Sequence, residues 1–219
     1  MTNLPTHTGS PPMRAVALSC TLNPTPATSN TEALTHVLLD ALGRQGVETE
    51  LIRVVDHDVR PGVESDMGDG DEWPAIRQRI VTSEILVLAS PTWLGKPSSV
   101  AQRVLERMDA MLGETDDAGR PVAYNRVAGC VVTGNEDGAH HVITEIAGGL
   151  IDMGFTVPGQ SWTYWNKGPG PGAVVPRQRG RTRLVALHGK SGSGEPPRRR
   201  EGSASEPHGA ASGMIAEGA

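Results

Sequence analysis

Short apolar runs alternate with helix-spaced stretches from Arg14 to Trp162, and this alternation constrains the chain more than any other feature. Arg14 to Ser19 is too short for a helix and reads as a buried strand. Leu34, Val37, Leu38, Ala41 and Leu42 then recur at helical spacing, with Ser29 or Asn30 as N-cap and Gly43 and Gly46 as stops. Val47 to Val55 alternates like a strand. Trp73, Ile76 and Ile80 mark a second helix with Pro74 in its first turn. Glu84 to Ser90 is the third strand, and Val100, Val104, Leu105, Met108 and Leu112 the third helix. Val127 to Thr133 is the fourth strand. Val142, Ile146, Leu150 and Met153 form a helix that Gly148-Gly149 is expected to interrupt, and Phe155 to Trp162 is the fifth strand. Strands that alternate with amphipathic helices imply a parallel sheet covered on both faces.

Five such strands fit a flavodoxin-like doubly wound sheet of order 2-1-3-4-5. Cys20 and Cys130 then follow or sit on strands separated by a third. That leaves them about 9–10 Å apart, beyond disulfide reach. Outside residues 14–175 the pattern stops. Residues 1–13 are expected to be a disordered leader. Residues 176–219 hold eight Lys or Arg against four Asp or Glu, and only Leu184 to Leu187 as an apolar patch. They read as a basic, low-complexity, disordered tail, and the amphipathic fifth helix of this fold is missing or replaced by it. The remainder carries −9, which argues against a dedicated nucleic-acid binder. No apolar run approaches the roughly 18 residues of a membrane span, and the first residues lack a signal-peptide pattern. The expectation is a cytoplasmic protein.

In open α/β sheets, ligands bind beyond the carboxyl ends of the strands at the switch point. This singles out three loops. The first, Ser19 to Thr31, is crowded with hydroxyls and enters a helix N-terminus, where amides and the helix dipole favour phosphate. Its candidates are Ser19, Thr21, Ser29, Asn30 and Thr31; the plainer reading of Thr-Ser-Asn is a helix cap. The second holds Pro91, Thr92, Trp93, Leu94 and Gly95, followed by Lys96-Pro97-Ser98. Trp93 could lie against a planar ring or be a buried Trp in a turn. The third holds Thr133, Gly134, Asn135 and Gly138, with Asp137 as a possible cap. Trp162, Tyr164 and Trp165 cluster after the fifth strand, and Trp165 is a candidate wall of the same pocket, the alternative being core or a dimer contact.

Together these three loops resemble the flavodoxin-like NAD(P)H-dependent FMN reductase family over about residues 14–172. The resemblance rests on Ser29-Asn30-Thr31, on Pro91-Thr92-Trp93-Leu94-Gly95 with Pro97-Ser98, and on Thr133 to Gly138. It implies that the first loop holds the FMN phosphate and that the other two flank the isoalloxazine ring. It also implies that NAD(P)H, as co-substrate, reduces the flavin, which serves a small electron acceptor such as a quinone or free flavin. No catalytic acid–base residue and no metal are then required, and a homodimer or higher homo-oligomer is expected. The alternative is a flavodoxin-type electron carrier without catalysis of its own, which an acidic body would suit.

Several motifs carry no function. Gly189-Lys190-Ser191 lacks the earlier glycine of a Walker loop, since Leu184 stands there. Gly168-Pro169-Gly170-Pro171-Gly172 is not a dinucleotide fingerprint. His140-His141 lacks the spacing for metal binding, and Arg198-Arg199-Arg200 is a solvated charge run. Asp56, at the end of the second strand, could serve a ribose in a dinucleotide site, but the first loop has none of the glycines such a site needs.

Overall fold

The computed structural model describes residues 11–166. Strands β1 (Arg14–Ser19), β2 (Glu48–Arg53), β3 (Ile85–Trp93), β5 (Val127–Gly134) and β6 (Trp162–Asn166) form one sheet of order β2-β1-β3-β5-β6, all parallel. The two-residue β4 (Lys96–Pro97) folds back antiparallel on β3. With that short hairpin strand set aside, this is the doubly wound order expected from the sequence. Helices α1 (Asn30–Gly43), α2 (Trp73–Val81), α3 (Ser99–Met108) and α4 (Ala139–Asp152) make the crossovers. The leader through residue 10, the tail from residue 176 and the question of a fifth helix lie outside the described residues.

Alternation along the strands divides the core in two. Val16, Leu18, Leu86, Leu88, Ala128, Cys130 and Val132 face Trp73, Ile76, Ile80, Val104, Met108, Ile146 and Leu150 of α2, α3 and α4. Ala17, Val87, Ala89 and Val131 face Leu34 and Leu39 of α1. Cys20 and Cys130 are both reduced and buried. Burial disfavours their thiolates, raising the Cys20 pKa and pushing that of Cys130 up to about 12.

Several boundaries differ from the sequence reading: β3 runs on past Ser90 to Trp93, and α3 ends at Met108, with Leu112 in a 3-10 turn, Asp109–Gly113. Helix α4 runs unbroken through Gly148-Gly149, because Ile146 and Leu150 on either side are fully buried and packing outweighs the ~1 kcal/mol cost of a helical glycine. Strand β2 ends at Arg53, and Val54–Asp56 turn into a short 3-10 helix. The last strand begins at Trp162 rather than Phe155. The segment between them makes one bridge, Thr156 to Val127, then turns through Gln160 at φ 68°. It re-enters the sheet where Gly129 has no side chain, since a Cβ there would lie 2.3 Å from the Ser161 carbonyl oxygen.

Candidate functional site

The carboxyl ends of β1, β3, β5 and β6 converge on an open cleft of about 240 Å³. It is lined by Thr21, Leu22, Asn23, Thr28, Ser29, Asn30 and Thr31 from the first loop. Pro91, Thr92 and Trp93 line it from the second loop, Thr133, Gly134 and Asn135 from the third, and Trp165 from β6. Of the candidates named from sequence, Ser19, Leu94, Gly95 and Gly138 do not line it. Leu22, Asn23 and Thr28, missed by the residue-level reading, do. They sit inside the loop already singled out, where the alternation of side chains around an irregular loop has no period to read.

The first loop leads into α1. Ser29 caps the helix, its Oγ accepting from the Glu32 amide at 3.2 Å. The Thr31 hydroxyl in the first turn lies 2.6 Å from that of Thr133 on β5, which seats the helix N-terminus over the end of β5. Among the described residues no Lys or Arg lines the cleft. An anion there would meet hydroxyls, amides and the positive end of the helix dipole. Beneath the loop lies a group the sequence reading did not name. Arg53, at the end of β2, donates to the carbonyls of Ala27 at 2.9 Å and Asn23 at 3.4 Å, and through Nε to Glu32 at 2.7 Å. Asp56 completes the hold, accepting from the Thr25 amide at 2.8 Å and the Thr25 hydroxyl at 2.5 Å. Those bonds from Thr25 draw its carboxyl below the usual range. Asp56 therefore braces the first loop, and the ribose role weighed for it falls away.

The second loop is a tight β3–β4 hairpin. Its tip is Leu94-Gly95, both at positive φ, 50° and 74°, as a two-residue hairpin turn requires. Leu94 points into solvent, 92% exposed, while Trp93 is 55% exposed and walls the cleft. A buried-turn role for Trp93 is excluded by that exposure. Ser98 anchors the far side. Its Oγ donates to the Cys20 carbonyl at 2.6 Å and accepts from the Ala101 amide at 3.1 Å, capping α3.

The third loop meets this hairpin directly. A Cβ on Gly138, at φ 118°, would fall 2.8 Å from the Gly95 Cα, so the contact requires glycine at 138, while Gly95 is favoured by its positive φ of 74°. Gly138 itself occupies the N-cap position of α4, and Asp137 only accepts from the Gly138 amide at 2.7 Å. The Glu136 carboxylate accepts from the Gly95 amide at 3.4 Å. Gly95 and Gly138 thus set the approach of two loops that contribute Pro91, Thr92 and Trp93, and Thr133, Gly134 and Asn135, to the cleft. Of the three aromatics on β6, strand alternation turns only Trp165 to the cleft. Tyr164 meets His140 edge-on at 5.1 Å and Trp162 is exposed. His141 pairs instead with Glu145 and with Lys96, at 2.8 Å and 2.7 Å.

Three buried polar atoms on candidate site residues have no partner among the described residues: Thr92 Oγ1 and Trp165 Nε1, on residues that line the cleft, and Ser19 Oγ, on a residue that does not. Native proteins leave few such atoms unpaired, and two of the three belong to residues of the cleft wall. Hydroxyls at a helix N-terminus, a half-exposed Trp opposite, and unpaired donors in the walls fit a phosphorylated molecule with a planar, polar-edged ring. FMN is such a molecule. Fold and cleft together define a doubly wound flavin-nucleotide-binding domain.

Comparison with known proteins makes this specific. Residues 13–169 match the profile of the NADPH-dependent FMN reductase family. The chain belongs to that family, whose members are NADPH-dependent FMN reductases. It is 35% identical to 8-demethyl-8-aminoriboflavin-5'-phosphate synthase of Streptomyces davaonensis, over 74% of this chain and 67% of that protein. It is 37% identical to the divalent metal cation transporter MntH of Mycobacterium bovis over 77% of this chain, and spans only 25% of that protein's length. Among solved structures, RosB with bound 8-demethyl-8-formylriboflavin-5'-phosphate superposes with a TM-score of 0.68 at 34% identity. That match covers 74% of this chain and 68% of RosB. Among the described residues no group of three or more His, Cys, Asp or Glu is placed to hold a metal ion. No described helix is long and apolar enough to cross a membrane.

Proposed function

We propose that the protein binds FMN in this cleft and passes electrons from NAD(P)H to a small acceptor such as a quinone or flavin. The observation that carries the reading is the convergence of all three switch-point loops on one cleft with unpaired donors in its walls. Ser29, Asn30 and Thr31 hold the phosphate, with Ser19 and Thr21 beneath and beside them. Thr92 and Trp93 line one side of the ring, with Pro91 below and the Leu94-Gly95 tip shaping the hairpin. Thr133, Gly134 and Asn135 offer the polar edge, Gly138 sets that loop against Gly95, and Trp165 closes the far wall. The chemistry supplied by bound FMN is two-electron transfer from NAD(P)H to a second substrate. The chain's own residues bind, orient and restrict water, and no protein acid or base need act. The half-exposed Trp93 keeps one face of the site accessible to a second planar molecule.

The test is anaerobic reduction of the FMN-loaded protein by NADPH and by NADH, followed by absorbance. Bleaching of the flavin bands, with turnover on a quinone, supports a reductase. Flavin binding without NAD(P)H oxidation would leave an electron carrier. Ser29→Ala with Thr31→Ala should weaken FMN binding by about 1–3 kcal/mol, the cost of unmade bonds to a charged group; unchanged affinity in a titration contradicts the phosphate assignment.

The identity to a synthase of a modified riboflavin phosphate favours a second reading, in which the bound flavin is itself the substrate. Mass spectrometry of the flavin after incubation separates the two: an unaltered FMN mass supports the cofactor role.

A further inference from the structure

The β3–β4 hairpin that carries Trp93 is weakly held by its own backbone. β4 pairs with β3 through two residues, Pro97 with Thr92 and Lys96 with Trp93, and Pro97 has no amide to donate. Side chains tie the tip to the rest of the fold. The Gly95 amide reaches the Glu136 carboxylate at 3.4 Å, a long bond. On the return strand, Lys96 Nζ lies 2.5 Å from Glu145 Oε1 and 2.7 Å from His141 Nε2, both on α4. His141 Nε2 is in turn 2.8 Å from the same Glu145 oxygen.

These three atoms form a closed triangle, and one imidazole nitrogen cannot serve both neighbours at once. Without a proton, Nε2 accepts from the Lys96 ammonium and has nothing to give Glu145. With a proton, it donates to Glu145, has no lone pair left for Lys96, and sets a second positive charge against the ammonium. The neutral ring therefore joins Glu145 in holding Lys96, and the charged ring competes with Lys96 for Glu145. The bond from Lys96, foremost, and the charge of His141 hold the Glu145 carboxyl below the usual range, so it stays ionised while the ring changes state. Around the triangle, Glu136 faces the Gly95 amide from the loop before α4, and His140 turns to Tyr164 of β6. All three side chains are partly exposed, so water and protons reach them, and histidine changes charge between about pH 5 and 8.

We propose that Lys96, His141 and Glu145 form a proton-controlled latch on the cleft wall. Neutral His141 keeps the hairpin against α4 with Trp93 in place, and protonated His141 releases it. The three are positioning residues, acting on the cleft through Trp93, which stands opposite Lys96 in the hairpin. What the hairpin encloses rests on the FMN reading above; the latch itself does not.

The experiment uses the full chain, free of flavin, with fluorine-labelled tryptophans followed by NMR from about pH 8 to about pH 5. The Trp93 signal is the one lost in Trp93→Phe. In the parent it should move between two positions. His141→Gln, which accepts from Lys96 and never charges, should hold it at the neutral-pH position throughout. Lys96→Met, which has no latch at any pH, should hold it at the acid position. A parent signal that does not move, or a step that survives in either variant, overturns the proposal; survival in Lys96→Met would mean that the ring charge acts on Trp93 by proximity alone. Each variant is decisive by itself, so one that fails to fold leaves the other to decide. FMN titrations then read the effect on the cleft. Over the same range the Kd of the parent should rise about two- to fivefold more than that of His141→Gln, a comparison that cancels the titration of the FMN phosphate itself. Equal pH dependence in the two overturns the latch's control of the cleft. Absence of FMN binding at every pH overturns the FMN reading and leaves the Trp93 step standing.

Discussion

A single buried ion pair fixes the long segment between β2 and α2. The side chains of Arg107 on α3 and Asp71 are both 0% exposed, with Nη2 to Oδ2 at 2.7 Å and Nη1 to Oδ1 at 3.0 Å. Such a bidentate pair is the strong form of this contact. Arg107 also donates to the carbonyls of Arg60 and Glu64, at 2.9 Å and 3.1 Å, and lies 5.6 Å from the centre of the Trp73 ring. Asp71 in turn accepts from the amides of Met67 and Trp73, at 2.9 Å and 3.2 Å. The Arg107 guanidinium, foremost, holds the Asp71 carboxyl well below the usual carboxylate range. A folded pKa below the unfolded one stabilises above the unfolded value, about 3.9 for Asp. Urea stability should therefore hold from neutral pH to about 4 and fall as the pH drops further. Asp71→Asn should remove part of that acid dependence. Arg107→Met, which strands the carboxylate, should cost about 3–5 kcal/mol near pH 7. An Arg107→Met variant as stable as the parent would show that the pair is dispensable.

At the scale of elements, the first loop owes its shape to β2 rather than to its own residues. Arg53 and Asp56 reach across from the end of β2 and the turn after it to hold Asn23, Thr25 and Ala27, while Arg53 also binds the Glu32 carboxylate. Glu32 sits in the first turn of α1, where an acid favours the helix but opposes an incoming phosphate. Arg53 offsets that charge. Arg53→Met should thus lower FMN affinity by about 1–2 kcal/mol through loosened loop bonds and an uncompensated carboxylate. Adding Glu32→Gln should restore part of the loss. An additive further loss in the double variant, measured by flavin fluorescence titration, would show that charge compensation plays no part.

For the molecule as a whole, the cleft joins four strand ends and the N-terminus of α1, so a ligand there couples elements far apart in sequence. Binding to the native state alone adds about 2.7 kcal/mol at a hundredfold excess of ligand over Kd. For a body of this size that corresponds to a rise in Tm of about 5–10 °C. FMN should produce that rise and riboflavin a smaller one, read by thermal unfolding followed at a Trp or far-UV signal. An unmoved Tm at saturating FMN would mean that the cleft does not bind it as assigned.

Local periodicity made the fold legible: buried strands need runs such as Ile85 to Ala89, amphipathic helices need spacings such as Val100, Val104 and Met108, and their alternation admits few topologies. The switch-point rule then located the three loops. Neighbours distant in sequence stayed out of view. Nothing local in Arg53 or Asp56 says that they brace a loop some thirty residues earlier. Gly148-Gly149 breaks a helix on propensity alone and is overruled by burial on both sides. The β6 aromatics look alike in the chain. Their division, Trp165 to the α1 side and Tyr164 to α4, depends on the register of β6 against β5. A one-residue shift there would exchange the two faces. Which hydroxyls and indole nitrogens stand unpaired is likewise a sum over all surrounding atoms, and only the folded chain provides it.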